Sequence, residues 1–184
     1  MEFKETKEAI SLHGLGFLQI KLGGSQRLHI WHPDLPRRSC FKHSQVHNHR
    51  FNFSSTVLKG MQINDTFAVF EDETNATHRA YLHEGARGAS GNRPWIPREM
   101  LWLGHVSREL VDEGETYHML NEVFHSTTPG GDGRVATLMT KTFEGVIGGA
   151  RSLCEVGTKP DVDFNRTQMS TDDMWTVVRE VLSL

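Results

Sequence analysis

A run of alternating residue types begins at position 46: Val46-His47-Asn48-His49-Arg50-Phe51-Asn52-Phe53. In an extended strand, side chains two residues apart project to the same face, so His47 and His49 can converge on one point. The same face continues as Phe51 and Phe53. The run therefore predicts a strand that carries two imidazoles at one depth of a pocket with apolar walls.

Comparable runs, rich in β-branched or apolar residues, lie on both sides of this one. The predicted strands are residues 17–22, 27–31, 51–58, 61–71, 78–83, 100–110, 114–120 and 134–142. Glycine, asparagine and aspartate, which are turn formers, separate several of them. Many short strands with few helical periods are typical of an antiparallel sandwich or barrel, so the predicted fold class is all-β.

The two ends of the chain have a different pattern. Residues 2–12 could form a short N-terminal helix, and Ser170 can cap a helix over residues 171–183, where apolar residues recur at helical spacing. Residues 84–98 are rich in glycine, arginine and proline and predict a loop, which could be a lid or an insertion. Residues 1–184 are predicted to form a single domain, with strands from about 15 to 145.

The charge and the apolar content of the chain indicate which kinds of molecule it binds. Lys and Arg total 20 against 23 Asp and Glu, so the net charge of -3 gives no overall attraction to nucleic acid or anionic lipid. No segment approaches the roughly 20 apolar residues of a membrane span. We therefore expect a small-molecule partner and neither nucleic acid nor membrane. The N-terminus lacks the apolar core of a secretory signal, which predicts a cytoplasmic protein in which Cys40 and Cys154 are reduced.

Histidine is over-represented, with 11 residues, which is roughly twice the average usage. Neutral imidazole is a good ligand for ions such as Zn, Fe, Ni and Cu, but two imidazoles need at least one further donor. Residues 114–126 suggest His125 as that donor, because a glycine turn there leads into a strand that ends at the histidine. Without a metal, His47 and His49 would be polar residues that face water on an edge strand.

The spacing of these histidines resembles the two motifs of the cupin superfamily. The first motif runs G, five residues, HxH, three or four residues, E, six residues, G. His47, His49 and Gly60 stand at its required offsets, whereas Phe53 occupies the place of the glutamate and Phe41 that of the first glycine.

The second cupin motif runs G, five residues, P, one residue, G, two residues, H, three residues, N. Gly114 and His125 keep that spacing, while Leu120, Glu122 and Pro129 replace its proline, inner glycine and asparagine. The resemblance covers roughly residues 15–145. It implies a jelly-roll β-barrel with one divalent metal ion held by His47, His49 and His125, and a possible homodimer.

The missing glutamate leaves three neutral imidazoles, a set similar to that of the thiol dioxygenases within the cupins. The resemblance therefore favours Fe(II), with Zn, Ni or Mn as alternatives, and a non-haem iron dioxygenase, an oxidoreductase acting on a small molecule. A metal-dependent isomerase or lyase, with the ion as a Lewis acid, is a second hypothesis. A non-catalytic small-molecule-binding cupin is the third, since fold alone does not fix function.

Other side chains are candidates for supporting roles. Tyr117 could act as a general acid or orient a bound molecule, and Arg50 could hold a substrate carboxylate. Tyr81, Arg79 and Arg134 are alternatives for the same roles, and His43 and His105 could each supply a fourth metal donor. His118 is expected to lie on the opposite face from His125 if their strand is unbroken.

Overall fold

The computed structural model describes residues 5–6, 9–144 and 149–183, except for the side chain of residue 144. Its strands are β1 (Ile10–His13), β2 (Phe17–Gly23), β3 (Gln26–Trp31), β4 (Phe51–Lys59), β5 (Gln62–Glu71), β6 (His78–His83), β7 (Trp95–Val111), β8 (Thr116–Met119), β9 (Phe124–Pro129), β10 (Val135–Glu144) and β11 (Ala150–Glu155). A short 3-10 turn covers Ser39–Lys42, and one α-helix, α1, covers Thr171–Leu182.

The strands form two antiparallel sheets, which confirms the predicted all-β class. One has six strands in the order β1-β2-β3-β10-β4-β8, and the other has five in the order β11-β6-β7-β5-β9. The six-stranded sheet depends on long-range pairing, because β10 lies between β3 and β4, with Thr137 opposite both His29 and Val57. Side chains on the inner faces therefore come from strands that are distant in sequence.

Each face of the six-stranded sheet is buried against different partners. The inner face carries Phe17, Trp31 and Met139, which belong to the core that also surrounds the candidate site. The outer face carries leucine and isoleucine residues of β1, β2 and β3, and it packs against α1 through Trp175 and Val178. The helix begins where predicted, because the Ser170 hydroxyl accepts a hydrogen bond from the Asp173 backbone N–H.

The prediction of an N-terminal helix over residues 2–12 is wrong from Ile10 onward, where the structure has β1. Ile10 and Leu12 are buried and pair with Ile20 and Leu18 of β2, so this segment is a strand whose alternate side chains enter the outer-face core. Residues 1–4 and 7–8 lie outside the described residues. The described part of the chain contains no helix long and apolar enough to cross a membrane.

Three further differences from the sequence predictions concern the second half of the chain. The strand predicted over residues 114–120 does not continue to His125, because β8 ends at Met119 and a turn with Glu122 at φ 67° separates it from β9. The predicted loop 84–98 ends earlier, since β7 begins at Trp95. The last strand, β11, was not predicted and, like β1, lies outside the range 15–145.

Candidate metal centre

The segment that carries His47 and His49 lies just before β4 and joins two strands of the five-stranded sheet. The His47 backbone N–H donates to the His125 carbonyl at 2.9 Å, and the His125 N–H donates back at 2.9 Å. On the other side, the Asn48 N–H donates to the Arg151 carbonyl at 3.0 Å. The segment 46–48 therefore contacts both β9 and β11, the strands at the two ends of that sheet's order.

This pairing brings the three predicted metal ligands together. The ring centroids of His47 and His125 are 4.6 Å apart, those of His47 and His49 are 4.9 Å apart, and those of His49 and His125 are 5.1 Å apart. One nitrogen from each ring lies within 4.8 Å of a nitrogen of the other two. By distance, these three nitrogens could hold one metal ion.

Hydrogen bonds orient two of the rings. The Nδ1 atom of His47 lies 2.9 Å from the Gln45 carbonyl oxygen, and Nδ1 of His125 lies 3.1 Å from the Val123 carbonyl oxygen. A carbonyl can only accept, so each Nδ1 carries the proton and each Nε2 keeps its lone pair. Fixing the tautomer of an imidazole in this way is typical of histidines that bind metals.

Burial also keeps the rings neutral. It lowers the pKa of His125 to about 3, and the nearby His47 ring lowers it further. Burial likewise lowers the pKa of His49 well below its usual value and lowers that of His47. Since a metal ligand must be deprotonated, these rings are held in the ligand form at neutral pH.

Aromatic side chains lie beside the imidazoles. The Phe53 ring centroid lies 5.2 Å from that of His49 and 6.2 Å from that of His125. The Phe51 ring centroid lies 5.0 Å from that of His49. The alternation in the sequence therefore predicted correctly that two phenylalanines form part of the wall beside the imidazoles.

The three histidines line a cavity of about 310 Å³. Tyr117 also lines it, and burial raises the pKa of Tyr117 to about 12, so the phenol keeps its proton at neutral pH. Arg50 lines the cavity from an exposed position. Both residues proposed from the sequence for supporting roles therefore reach the same space as the histidines.

The other sequence candidates lie elsewhere. Nδ1 of His43 is 3.6 Å from a Glu155 carboxylate oxygen, and Nε2 of His105 is 2.7 Å from Asp65, so neither belongs to the three-histidine group. Arg134 pairs with Glu180 of α1 at 3.0 Å. Neither these residues nor Tyr81, Arg79 and His118 are among the described cavity-lining side chains. His118 is exposed on β8.

Several polar residues of the cavity wall were not found from the sequence. They are Arg38, Arg87, Arg93, Arg166 and Gln62, together with His13, His29 and His83. They come from loops and strands spread over most of the chain, and no spacing rule connects them. The loop predicted over residues 84–98 supplies Arg87, Asn92 and Arg93, so part of it forms cavity wall.

Both cysteines are buried and free, and they belong to the core cluster that surrounds this cavity. Comparison with protein-family models and with curated proteins gave no match for this chain. The chemistry of the site therefore has to be argued from its residues. A neutral three-imidazole set beside a protonated phenol, in a cavity of metabolite size, can hold a metal ion and a small molecule together.

Proposed function

We propose that this chain is a metal-dependent enzyme of the cupin type, in which His47, His49 and His125 hold one divalent ion. One observation carries the proposal: three neutral imidazoles converge within 4.8 Å in a cavity of about 310 Å³. We favour a non-haem iron dioxygenase that acts on a small molecule. The spacing of the histidines, which resembles both cupin motifs, supports the same class.

The residues present fit a metal ion by distance and by chemistry. Metal–nitrogen bonds of about 2.0–2.1 Å separate the nitrogens of a tetrahedral site by about 3.3 Å, so small ring movements would complete the site. Two rings already have Nδ1 directed to a carbonyl oxygen, which leaves Nε2 for the ion. Bound there, Fe(II) would supply electrons for O₂ chemistry, whereas a redox-inert ion would supply Lewis acidity.

The chain's own side chains would shape the reaction. Phe51 and Phe53 flank His49 and exclude water from one side of the ligand set. Tyr117 faces the same cavity with its proton in place, and the hydroxyls of Ser55 and Thr127 lie beside its phenol. We assign Tyr117 the role of a hydrogen-bond donor to the reacting molecule. The Oη atom of Tyr117 can also deliver a proton to that molecule.

A metal-dependent isomerase or lyase is the second candidate, and one observation favours it. Two further imidazoles, His13 and His29, line the same cavity without belonging to the ligand set. Burial lowers the pKa of both, to about 3 for His29, so both rings are neutral but weakly basic, and they could accept a proton only from a substrate that a Lewis acid has made more acidic. Proton movement between carbon atoms of a substrate requires such groups near a Lewis acid.

Elemental analysis of protein purified without oxygen tests the proposal. We expect close to one iron per chain, and loss of that iron in the variants His47→Ala, His49→Ala and His125→Ala. The matched control is His118→Ala, which removes an exposed imidazole of β8 outside the cavity lining and should keep the metal.

The result separates the candidate functions. Zinc or nickel in place of iron, with the same loss in the three variants, would select the isomerase or lyase. Protein that stays free of metal after addition of Fe, Zn, Ni or Mn would overturn the metal-dependent enzyme altogether. Metal that survives all three substitutions would show that the ion binds elsewhere.

A further inference from the structure

Four arginine side chains gather along one part of the cavity wall, and we call them the arginine cluster: Arg38, Arg87, Arg93 and Arg166. They reach it from the loop before the 3-10 turn, from the loop before β7 and from the segment before α1. The cluster therefore depends on the tertiary fold and not on a local basic run.

Arg38 is the most buried member, with 6% of its surface exposed. Its guanidinium lies between two aromatic rings, 5.2 Å from the Trp95 centroid and 5.3 Å from the Phe164 centroid. Its nitrogens donate to the Asn92 side-chain oxygen at 2.5 Å and to the Asp161 backbone carbonyl. These contacts fix the position of the group, but each acceptor is an uncharged oxygen.

The other members are also held by uncharged oxygens. Arg166 donates to the Leu12 carbonyl at 3.0 Å, Arg87 to the Gly91 carbonyl, and Arg93 to the Gly85 carbonyl. Burial, followed by repulsion from Arg87 and Arg38, lowers the pKa of Arg166 to about 10. Arg166 is thus close enough to Arg87 and Arg38 to be repelled by their charges, and Arg87 is repelled in the same way by Arg93.

Within the described residues no carboxylate forms an ion pair with the cluster, although the Asp161 carboxylate lies near enough to attract Arg38. None of the four arginines takes part in an ion pair in that part of the chain, and no described Asp or Glu lines the cavity. By contrast, Arg151 of the same cavity pairs with Glu99 at 2.7 Å, and the distant Arg134 pairs with Glu180. Gathering four like charges with so little negative charge beside them costs free energy, which an anionic ligand would recover.

A second and independent observation points to a polar ligand in this cavity. Gln62 is fully buried and lines the cavity, yet neither its amide nitrogen nor its amide oxygen has a partner among the described residues. The ring nitrogens Nε1 of Trp31 and Nε2 of His29 are buried without partners in the same wall. Native proteins rarely leave such groups unsatisfied, so these atoms indicate hydrogen bonds to a molecule in the cavity.

The arginine cluster and the three-histidine group are linked by a chain of contacts. Arg38 lies over Trp95, whose ring centroid is 4.5 Å from that of His83. Nε2 of His83 lies 2.8 Å from the Ser152 hydroxyl, and Ser152 is bridged to His47 by backbone pairing. Both groups therefore line one cavity and are joined along its wall.

We propose that the arginine cluster binds the acidic group, a carboxylate or a phosphate, of an organic molecule whose apolar body lies against the aromatic wall. That this molecule is the substrate rests on the proposed function. Neutral imidazole ligands leave the full +2 charge of a bound ion uncompensated, which adds to the preference for an anion. The cavity volume of about 310 Å³ suits a molecule of metabolite size.

Calorimetric titration with matched probes tests this binding. The probes are 3-phenylpropionate, its uncharged amide 3-phenylpropionamide, and phenyl phosphate. We expect the two anions to bind more tightly than the amide, and their affinity to fall with added salt. A tighter complex with phenyl phosphate would identify a phosphate ester as the natural ligand class, and a tighter complex with 3-phenylpropionate would identify a carboxylic acid.

Substitution of an arginine in the cluster should weaken the binding of the anionic probes and leave the binding of the amide unchanged. Arg166→Gln is expected to weaken the binding of the preferred anion about 10- to 100-fold, the effect of one charged hydrogen bond, and to leave the amide unchanged. Arg98→Gln removes the same charge from an exposed arginine outside the cavity lining and should change nothing. Arg87→Gln, in a more exposed position, is the second variant if Arg166→Gln does not fold by circular dichroism.

The outcomes remain distinct from those of the metal experiment. Anion binding that persists in His125→Ala, and is lost in Arg166→Gln, supports the arginine cluster even if the chain holds no metal. Equal affinity for the acid and its amide, no binding of either anion, or full binding by both arginine variants would overturn the proposal, whatever the metal content.

Discussion

Glu122 holds a left-handed backbone conformation, with φ 67°, immediately before the strand that carries His125. Its backbone N–H donates to the His49 carbonyl at 3.0 Å, so the turn ties the two halves of the ligand set together. Glycine would adopt this conformation without a steric penalty. For a side chain other than glycine, the left-handed conformation costs about 1–2 kcal/mol.

Replacing Glu122 by glycine should therefore stabilise the protein. We expect Glu122→Gly to raise the free energy of unfolding by about 0.5–1 kcal/mol, because relief of the strain exceeds the extra entropy that glycine loses on folding. Urea unfolding measures the change. Glu122→Ala is the control, since it removes the same carboxylate but keeps the strained Cβ. An equal gain in both variants would assign the effect to charge.

His29 gives the stability a pH dependence. Burial lowers the pKa of its folded form from 6.5 to about 3, whereas the unfolded chain takes up a proton below about pH 6.5. Between pH 6.5 and about 3, unfolding is therefore accompanied by proton uptake at His29. The contribution of this residue to the free energy of unfolding is complete above pH 6.5 and is lost as the pH falls toward 3. Between about pH 7 and pH 5 the loss from this residue is about 2 kcal/mol.

The variant His29→Phe should lose about 2 kcal/mol less than the original chain over that pH interval. Phenylalanine suits the site, because Nε2 of His29 has no partner among the described residues and the ring lies 4.6 Å from Phe17. Urea unfolding of EDTA-treated protein at both pH values gives the comparison. His118→Phe, at an exposed site, serves as the control, and an identical pH dependence in all three proteins would contradict the assignment.

The sequence could predict those site residues that follow a spacing rule. His47 and His49 lie two residues apart, although just before β4 and not in it as the alternation predicted, and His125 stands at a fixed distance from Gly114, so a motif could find them. Arg38 and Arg166 follow no such rule, because they meet only after the loops have folded against β1 and β7. Charge alone could not separate them from Arg134, which forms an ion pair with α1.

At the scale of the elements, regular alternation decided what could be predicted. β4 and β6 alternate clearly, and their bounds were predicted nearly to the residue. β9, Phe124–Pro129, is mostly polar and follows a turn that interrupts the predicted strand. β11 pairs with β6, far away in sequence, so its place in the sheet depends on long-range pairing. The helix α1 was predicted because both its cap and its apolar spacing are local signals.

The helix α1 should contribute to stability without affecting the site. Trp175 is buried in the cluster on the outer face of the six-stranded sheet, opposite the cavity. We expect Trp175→Ala to lower the free energy of unfolding by about 3–5 kcal/mol, through lost burial and the cavity left behind. Metal content and probe affinity should be unchanged when measured well below the melting temperature.

Thr176→Ala, on the exposed face of the same helix, is the matched control and should cost less than about 0.5 kcal/mol. A loss of metal or of probe binding in folded Trp175→Ala would show that the outer-face core and the cavity are energetically coupled. Such coupling would contradict the independence of the two faces of the sheet.

At the scale of the whole molecule, the ligands come from parts of the chain that only folding brings together. His47 and His125 are distant in sequence and pair through their backbones. An ion that binds only the folded chain should therefore raise the melting temperature. The free energy of unfolding should rise by about 2.7 kcal/mol when the free ion is at 100 times its dissociation constant.

Differential scanning calorimetry with EDTA, and then with added metal, measures this gain. The melting temperature should fall with the chelator and recover with the ion in the original chain and in His118→Ala. His125→Ala should not respond to either addition. A response in His125→Ala equal to that of the original chain would place the stabilising ion outside the three histidines.

The segment 46–48 also has a protective consequence. It covers the middle of β11 and the beginning of β9 with backbone hydrogen bonds, so a strand from a second chain cannot pair there without displacing it. The ends of the other sheet are β1 and β8, each of 4 residues, and short strands are poor templates for addition. If segment 46–48 became disordered, the edges of β9 and β11 would be exposed, and the protein would be expected to self-associate.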